Sequence, residues 1–237
     1  MKKRPIYVIR YQGFNWYNCP MIVNYASKSK EIWKVPCPIL VRGIAMEGGI
    51  GPVAGSSHHS LYYRMPGVKI VSPMTPGEYK NIYKSFLKDD SVYYVSEHRG
   101  SYANKNEIKN LYFKNPDFVI FAISITRFAA KKAIEDLFKE GIKVSLVNIL
   151  WIKPLKISKK SYDNLKESKF GGVVMDDDYT TGVAKSIAND INIKTNKKII
   201  TMGLKDRTAG TAKRLDNLPP SSNEIYKRIK DIISNDV

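Results

Sequence analysis

Three clusters in this chain carry residue types that can do chemistry: a set of glycines, a histidine pair and a run of aspartates. The glycines are Gly43, Gly48, Gly49, Gly51 and Gly55. Gly49-x-Gly51-x-x-Ala54 has the form of a dinucleotide fingerprint, but Pro52 interrupts it. No acidic residue follows about twenty positions on at a strand end. No Gly-Lys-Ser/Thr follows either, which excludes a nucleotide P-loop. Two readings stay open: a flexible loop that needs positive φ angles, or a loop bordering an active site. His58 and His59 are adjacent, and on an extended chain their rings would face opposite ways. They do not make a chelating pair, and the third histidine, His98, is too little to complete a zinc site. Ser60 follows His59 too closely for triad geometry. Taken alone, His59 reads as a hydrogen-bonded structural residue. Asp176-Asp177-Asp178 could bind magnesium. The favoured reading places them between a strand end and a helix start, where they complement the helix dipole.

These residues need elements to position them, and the pattern predicts two blocks of alternating strands and helices. Ile6–Arg10 reads as a strand. A helix is expected over 17–32, with Pro20 in its first turn. Short strands follow at Pro38–Arg42 and Val68–Val71. Thr75-Pro76-Gly77-Glu78 is a capping box with proline at the first helical position. Behind it Tyr79, Ile82, Tyr83, Phe86 and Leu87 recur at helical spacing and form one apolar face. Asp89-Asp90 ends this helix, and Ser91–Val95 is a strand. Residues 98–116 are polar and read as a linker or crossing arm. The second block opens with the strand Phe118–Ile123. Thr126 is expected to cap a helix bearing Ala130, Ala133, Ile134, Leu137 and Phe138, stopped by Gly141. A strand at Val144–Leu150, a turn at Pro154 and a helix near 158–166 follow. The strand Gly171–Met175 runs into the aspartates. Thr180 or Thr181 then caps a helix to about Asp190. Lys198–Met202 and Ser222–Ser234 complete the block as strand and helix. Such alternation argues for a parallel α/β sheet in each block.

Composition narrows the class. The chain has 237 residues, 43% of them hydrophobic and 26% charged, which fits a folded protein with a real core. No apolar run reaches about 18 residues, so no membrane span is expected. The basic N-terminus lacks the apolar stretch of a secretory signal. Two cysteines, Cys19 and Cys37, are too few for a disulfide framework and point to a reduced, cytoplasmic setting. The net charge is +17, yet only nine of the 39 basic residues are arginines and the lysines are scattered. Nucleic-acid binding is therefore not expected. An acidic partner or substrate suits the charge equally well.

Several short segments, taken in order, carry a family resemblance. They are Arg4-Pro5, Phe14, Asn24-Tyr25-Ala26-Ser27-Lys28, Pro38-Ile39-Leu40-Val41-Arg42-Gly43, Ala54-Gly55 and His59-Ser60. Pro66-Gly67-Val68-Lys69-Ile70-Val71-Ser72-Pro73, Thr75-Pro76 and Lys84–Asp90 follow. Ile152-Lys153-Pro154-Leu155 and Thr181-Gly182-Val183 continue the series. Together they resemble the beta subunit of pyruvate and other 2-oxo-acid dehydrogenases, and more broadly transketolase-like thiamine diphosphate enzymes. The resemblance implies two three-layer α/β/α domains with mostly parallel sheets. These would be a pyrimidine-binding domain at 1–100, a linker at 101–116 and a transketolase C-terminal domain at 117–237.

The resemblance also implies roles. Phe14 falls at the aromatic position that packs on the cofactor's pyrimidine ring. His59 matches a histidine at the substrate entrance that hydrogen-bonds or shuttles a proton. Carbonyls near Phe86, Leu87 and Asp89, with the Ser91 side chain, match a structural potassium site. Magnesium and the diphosphate would be held by an alpha-type partner, since no Gly-Asp-Gly…Asn motif occurs here. The C-terminal domain would support dimerisation. The family's activating glutamate has no counterpart among the first 30 residues, none of which is acidic. The resemblance therefore implies that another chain or segment supplies it. The expected function is that of a partial beta-type subunit for 2-oxo-acid decarboxylation. The alternatives are a transketolase-type half and a non-catalytic assembly or regulatory subunit.

Overall fold

The computed structural model describes residues 3–235 apart from Gly49, Pro52 and Ala54, and apart from the side chain of Asn18. The Gly49–Ala54 fingerprint and the Ala54-Gly55 landmark thus lie partly outside the described residues. The chain divides into two units. One runs up to Glu107 and takes in Leu150–Lys156 and Arg207–Asn217; the other comprises Ile108–Ile149, Ile157–Asp206 and the chain from Leu218 on.

In the first unit β1 (Ile6–Ile9) leads through a 3-10 turn, Gln12–Phe14, into α1 (Asn15–Met21). A π-helical stretch, Ile22–Ala26, joins α1 to α2 (Ser27–Trp33). Pro20 therefore sits inside the helix and not in its first turn. It has no N–H to give the ladder, and the helix widens to π spacing just after it. This helical run buries Cys19, Ile22 and Val23, and exposes Trp16, Tyr17, Met21, Tyr25, Ile32 and Trp33. β2 (Leu40–Ala45), α3 (Ser60–Tyr63), β3 (Val68–Val71), α4 (Pro76–Phe86) and β4 (Val92–His98) complete the contiguous part.

α4 starts where its capping box predicts. Thr75 Oγ1 accepts from the Glu78 N–H at 3.3 Å, while Glu78 Oε2 reaches back to the Met74 N–H at 2.8 Å. Ile82 and Phe86 are buried with Leu40, Val71, Tyr93 and Val95, but Leu87 lies past the helix end and is exposed. The apolar face thus closes one residue earlier than its spacing suggests.

In the second unit β5 (Phe118–Ile123), α5 (Thr126–Lys139), β6 (Val144–Ile149), α6 (Lys159–Lys166), β8 (Gly172–Tyr179), α7 (Val183–Thr195), β9 (Ile199–Leu204) and α8 (Ser222–Asn235) follow; β7 (Trp151–Lys153) belongs to the first unit.

The first sheet has the order β1-β2-β4-β3-β7; its strands are parallel except β7, which adds antiparallel to β3. The second sheet, β6-β5-β8-β9, is parallel throughout. Parallel strands buried on both faces read as continuous apolar runs, and β5 is buried along its whole length. Its alternate residues Phe118, Ile120 and Ala122 share a core with α5 and α8. Of the residues expected as a linker, Asn104 bonds the Met74 carbonyl at 2.9 Å in the first unit. Leu111 pairs with Leu146 at 2.9 and 2.8 Å, and the Phe113 N–H bonds Ser145 Oγ at 3.0 Å, both in the second.

Three local expectations change. Thr126 is the first residue of α5 and not its cap: its hydroxyl donates to the Ile123 carbonyl at 2.6 Å. α7 is preceded by Gly182, not capped by Thr180 or Thr181, and runs on to Thr195. The three aspartates lie within β8 and are buried, so they do not flank a helix start. Asp176 Oδ1 accepts from the Asp177 N–H at 2.9 Å, and Asp178 Oδ1 from the Tyr179 N–H at 2.7 Å. Carboxylates that bond the local backbone suit the bulge where β8 loses register with β9.

Candidate functional site

In open parallel sheets functional groups gather beyond the carboxyl ends of the strands. In the first unit β1 ends at the turn that carries Gln12 and Phe14, and β4 ends at Ser96-Glu97-His98. Phe14 is 42% exposed and packs against Tyr11 and Tyr17, with ring centroids 6.4 and 6.1 Å apart. A half-exposed ring between two others offers a stacking surface to a flat heterocycle. Gln12, two residues earlier, is fully buried. Its Nε2 donates to the Gly43 carbonyl at 3.1 Å and to Ser96 Oγ at 2.9 Å, and its Oε1 accepts from the His58 N–H at 2.7 Å. One amide therefore ties β2, β4 and the histidine turn together.

His58 and His59 do part company, though on a turn and not on an extended chain. His59 is helical (φ −68°, ψ −19°) and precedes α3. His58 Nε2 lies 3.3 Å from Ser56 Oγ, and His59 Nδ1 lies 3.0 Å from Ser96 Oγ. The resemblance implies a histidine at an entrance, whereas His59 is fully buried. Tyr62 stacks on Tyr94 with centroids 4.2 Å apart, and Asn15 Nδ2 donates to the Tyr94 hydroxyl at 2.7 Å. Gly43 is required here, because a Cβ would lie 2.2 Å from that hydroxyl. In the glycine loop Gly48 and Gly51 have φ of +76° and +87°, as the conformational reading requires.

Two charged features were not legible beforehand. Glu97 is fully buried and meets Arg42 at two points, Oε1–Nε 2.6 Å and Oε2–Nη2 2.8 Å. The Tyr102 hydroxyl adds a bond to Oε2 at 2.6 Å. The bidentate bond to Glu97 holds the Arg42 guanidinium firmly protonated. His98 is also buried, and burial pulls its pKa down to about 4. Its Nδ1 accepts the Gly100 N–H at 3.1 Å, which only a bare ring nitrogen can do. The sequence signal for these groups was slight: Arg42 and Glu97 sit in or beside buried strands, and a buried charge needs a partner.

The potassium expectation meets a different arrangement. Arg4 Nη1 donates to the carbonyls of Phe86, at 3.3 Å, and Asp89, while Nη2 pairs with Asp90 Oδ1 at 2.8 Å. The Ser91 hydroxyl is given to Asp89 Oδ1 at 2.8 Å. Burial alone would raise the Asp89 carboxyl, but bonds from Lys69, Tyr93 and Ser91 outweigh it and hold the group well below the usual range. The Phe86 and Asp89 carbonyls already serve a guanidinium and the Ser91 hydroxyl a carboxylate, so these groups do not fit a potassium ion beside that cation. The melting temperature is expected to be unchanged when potassium replaces sodium at constant ionic strength. Arg4→Met should cost about 1–2 kcal/mol, since charge-assisted bonds at a helix end are lost. A potassium-dependent melting temperature in the unmodified chain would overturn this assignment.

Two surface hollows, of about 500 and about 450 Å³, open on the second unit. Exposed lysines and acidic residues line them, and neither includes Phe14 or His59. No described helix is long and apolar enough to cross a membrane.

Comparison with known proteins assigns the class. Residues 1–105 match the transketolase pyrimidine-binding domain and residues 110–225 the transketolase C-terminal domain. The chain therefore belongs to the transketolase-like family, whose members depend on thiamine diphosphate. Among curated proteins it is similar to the pyruvate dehydrogenase E1 component subunit beta of Gracilaria tenuistipitata var. liui, with 27% identity over 171 residues, 65% of this chain and 51% of the relative. The 2-oxoisovalerate dehydrogenase subunit beta of Bacillus subtilis is also 27% identical, over 176 residues, 64% of this chain and 51% of the relative. The chain thus spans about half the length of these relatives. Among solved structures, a split-gene transketolase described as an inactive beta4 tetramer aligns with a TM-score of 0.71 at 15% identity, covering 98% of this chain and 76% of that one. A transketolase mutant from Pichia stipitis aligns with a TM-score of 0.72 at 13% identity, covering 97% and 34%. The structural matches speak to the fold alone.

Proposed function

We propose that this chain is a beta-type subunit of a thiamine diphosphate-dependent enzyme that decarboxylates a 2-oxo acid together with partner chains. The observation that carries the reading is Phe14, an aromatic ring left half-exposed beyond the carboxyl end of the parallel strand β1 in a pyrimidine-binding domain. Bound there, thiamine diphosphate supplies a nucleophilic thiazolium carbon for attack on the substrate carbonyl. Phe14 contributes a stacking wall that orients the pyrimidine, and the Gln12–Ser96–His59 network contributes the imidazole of the site. An alpha-type subunit brings magnesium and the diphosphate site, and another chain or segment brings the carboxylate that would face the pyrimidine. The exposed apolar residues of the helical run, Trp16 to Trp33, and of β1 support docking on such a partner.

The complete burial of His59 favours a second reading, a non-catalytic assembly subunit. The two separate in one experiment. The chain is mixed with a candidate alpha-type subunit, and thiamine diphosphate binding and 2-oxo acid decarboxylation are measured. Phe14→Ala is expected to weaken cofactor binding by about 1–3 kcal/mol, roughly five- to 150-fold, as lost ring stacking does. Stable assembly with no cofactor binding would replace the first reading by the second.

A further inference from the structure

We propose that Ser96 is a positioning residue that holds His59 as its neutral Nε2–H tautomer. The ring then donates through Nε2 and does not take up a proton there. The chain of bonds begins at the backbone N–H of His58, which can only donate. It meets the Gln12 amide at 2.7 Å, so the atom facing it is Oε1 and the amide is oriented. The other end, Nε2, donates to the Gly43 carbonyl and, at 2.9 Å, to Ser96 Oγ. Ser96 is fully buried, so its own O–H needs an acceptor. His59 Nδ1 stands 3.0 Å away and takes that proton. A ring nitrogen that accepts carries no hydrogen, so the proton of the neutral ring sits on Nε2. An Nδ1–H tautomer, or an imidazolium, would donate to Ser96 Oγ instead and leave the buried Ser96 O–H without an acceptor among the described residues.

The resemblance alone allowed His59 either to hydrogen-bond or to shuttle a proton; the Ser96 bond selects the first. Its meaning for catalysis rests on the proposed function: in a thiamine site an Nε2–H donor steadies negative charge developing on an oxygen. The tautomer itself does not depend on that reading.

Long-range proton–nitrogen correlation spectra of the full-length ¹⁵N-labelled chain read the tautomer directly, with His59→Gln assigning the signals. Wild type is expected to show His59 protonated at Nε2 and bare at Nδ1. Ser96→Ala should lose that preference, and Ser96→Thr, which keeps the hydroxyl, should restore it. An Nδ1–H ring in wild type overturns the proposal, as does an unchanged ring in Ser96→Ala. The wild-type spectrum decides even where a variant fails to fold. In the assembled complex Ser96→Ala is expected to lower kcat by about tenfold or more with KM little changed. A wild-type complex that shows no thiamine chemistry removes the proposed function and leaves the tautomer result standing.

Discussion

Arg42→Met is expected to destabilise the chain by about 3 kcal/mol, near the lower end of the range for breaking a buried ion pair. Glu97 has no access to water, and both its oxygens are spoken for by Arg42 at 2.6 and 2.8 Å. Methionine fills much of the arginine's volume but provides no donor. The carboxylate would keep only the Tyr102 hydroxyl at 2.6 Å and would face a desolvation cost that a single bond does not offset. The estimate stays near the lower end because the Arg42 side chain is 31% exposed, so water can reach part of the gap. The double variant Arg42→Met/Glu97→Leu should recover most of the loss, since replacing both partners removes the orphaned charge. Urea unfolding of the three proteins measures this. A single variant within about 0.5 kcal/mol of wild type, the usual range for a surface change, would mean that Glu97 is not held as described.

The second large effect is a loss of stability in mild acid that traces to His98. Burial lowers its pKa to about 4 in the folded chain, against about 6.5 when exposed. Between these values the unfolded chain binds a proton that the folded chain does not, so unfolding becomes easier as pH falls. The contribution is fully present above about pH 6.5, declines through the window and is gone below about pH 4. Its size is about 3 kcal/mol, the free energy of a shift of that extent. Protonating Nδ1 would also break the bond it accepts from the Gly100 N–H. His98→Asn can keep that acceptor through Oδ1 without titrating, and its stability should fall less steeply between pH 7 and 4. Parallel pH profiles for wild type and variant would argue against a neutral, buried His98.

Much of the fold could be read from local pattern. α4 was legible because proline, threonine and glutamate at its start and the 3.6-residue spacing of Ile82 and Phe86 act within a few residues. The buried strands at Val68 and Phe118 were legible because parallel strands covered on both faces leave unbroken apolar runs. Pro20 misled for an equally local reason: proline favours a first turn, and only the packing of the helix around Cys19, Ile22 and Val23 carries it through the interior. The aspartates misled because acidic side chains usually mark the end of a strand, whereas β8 continues through them to Tyr179.

The sequence by itself determined the order of the main strands and helices, though not α3 or the antiparallel β7, together with the α/β class and the family, because periodicity, caps and ordered motifs are written in near neighbours. Only the tertiary structure decided that Arg4 closes the end of α4, that Arg42 answers Glu97 and that Gln12 and Ser96 hold His59. Those partners lie some 37 to 84 positions apart in the chain. A hydrogen bond acts over about 3 Å of space and is blind to how much chain separates its ends, so no local pattern announces it.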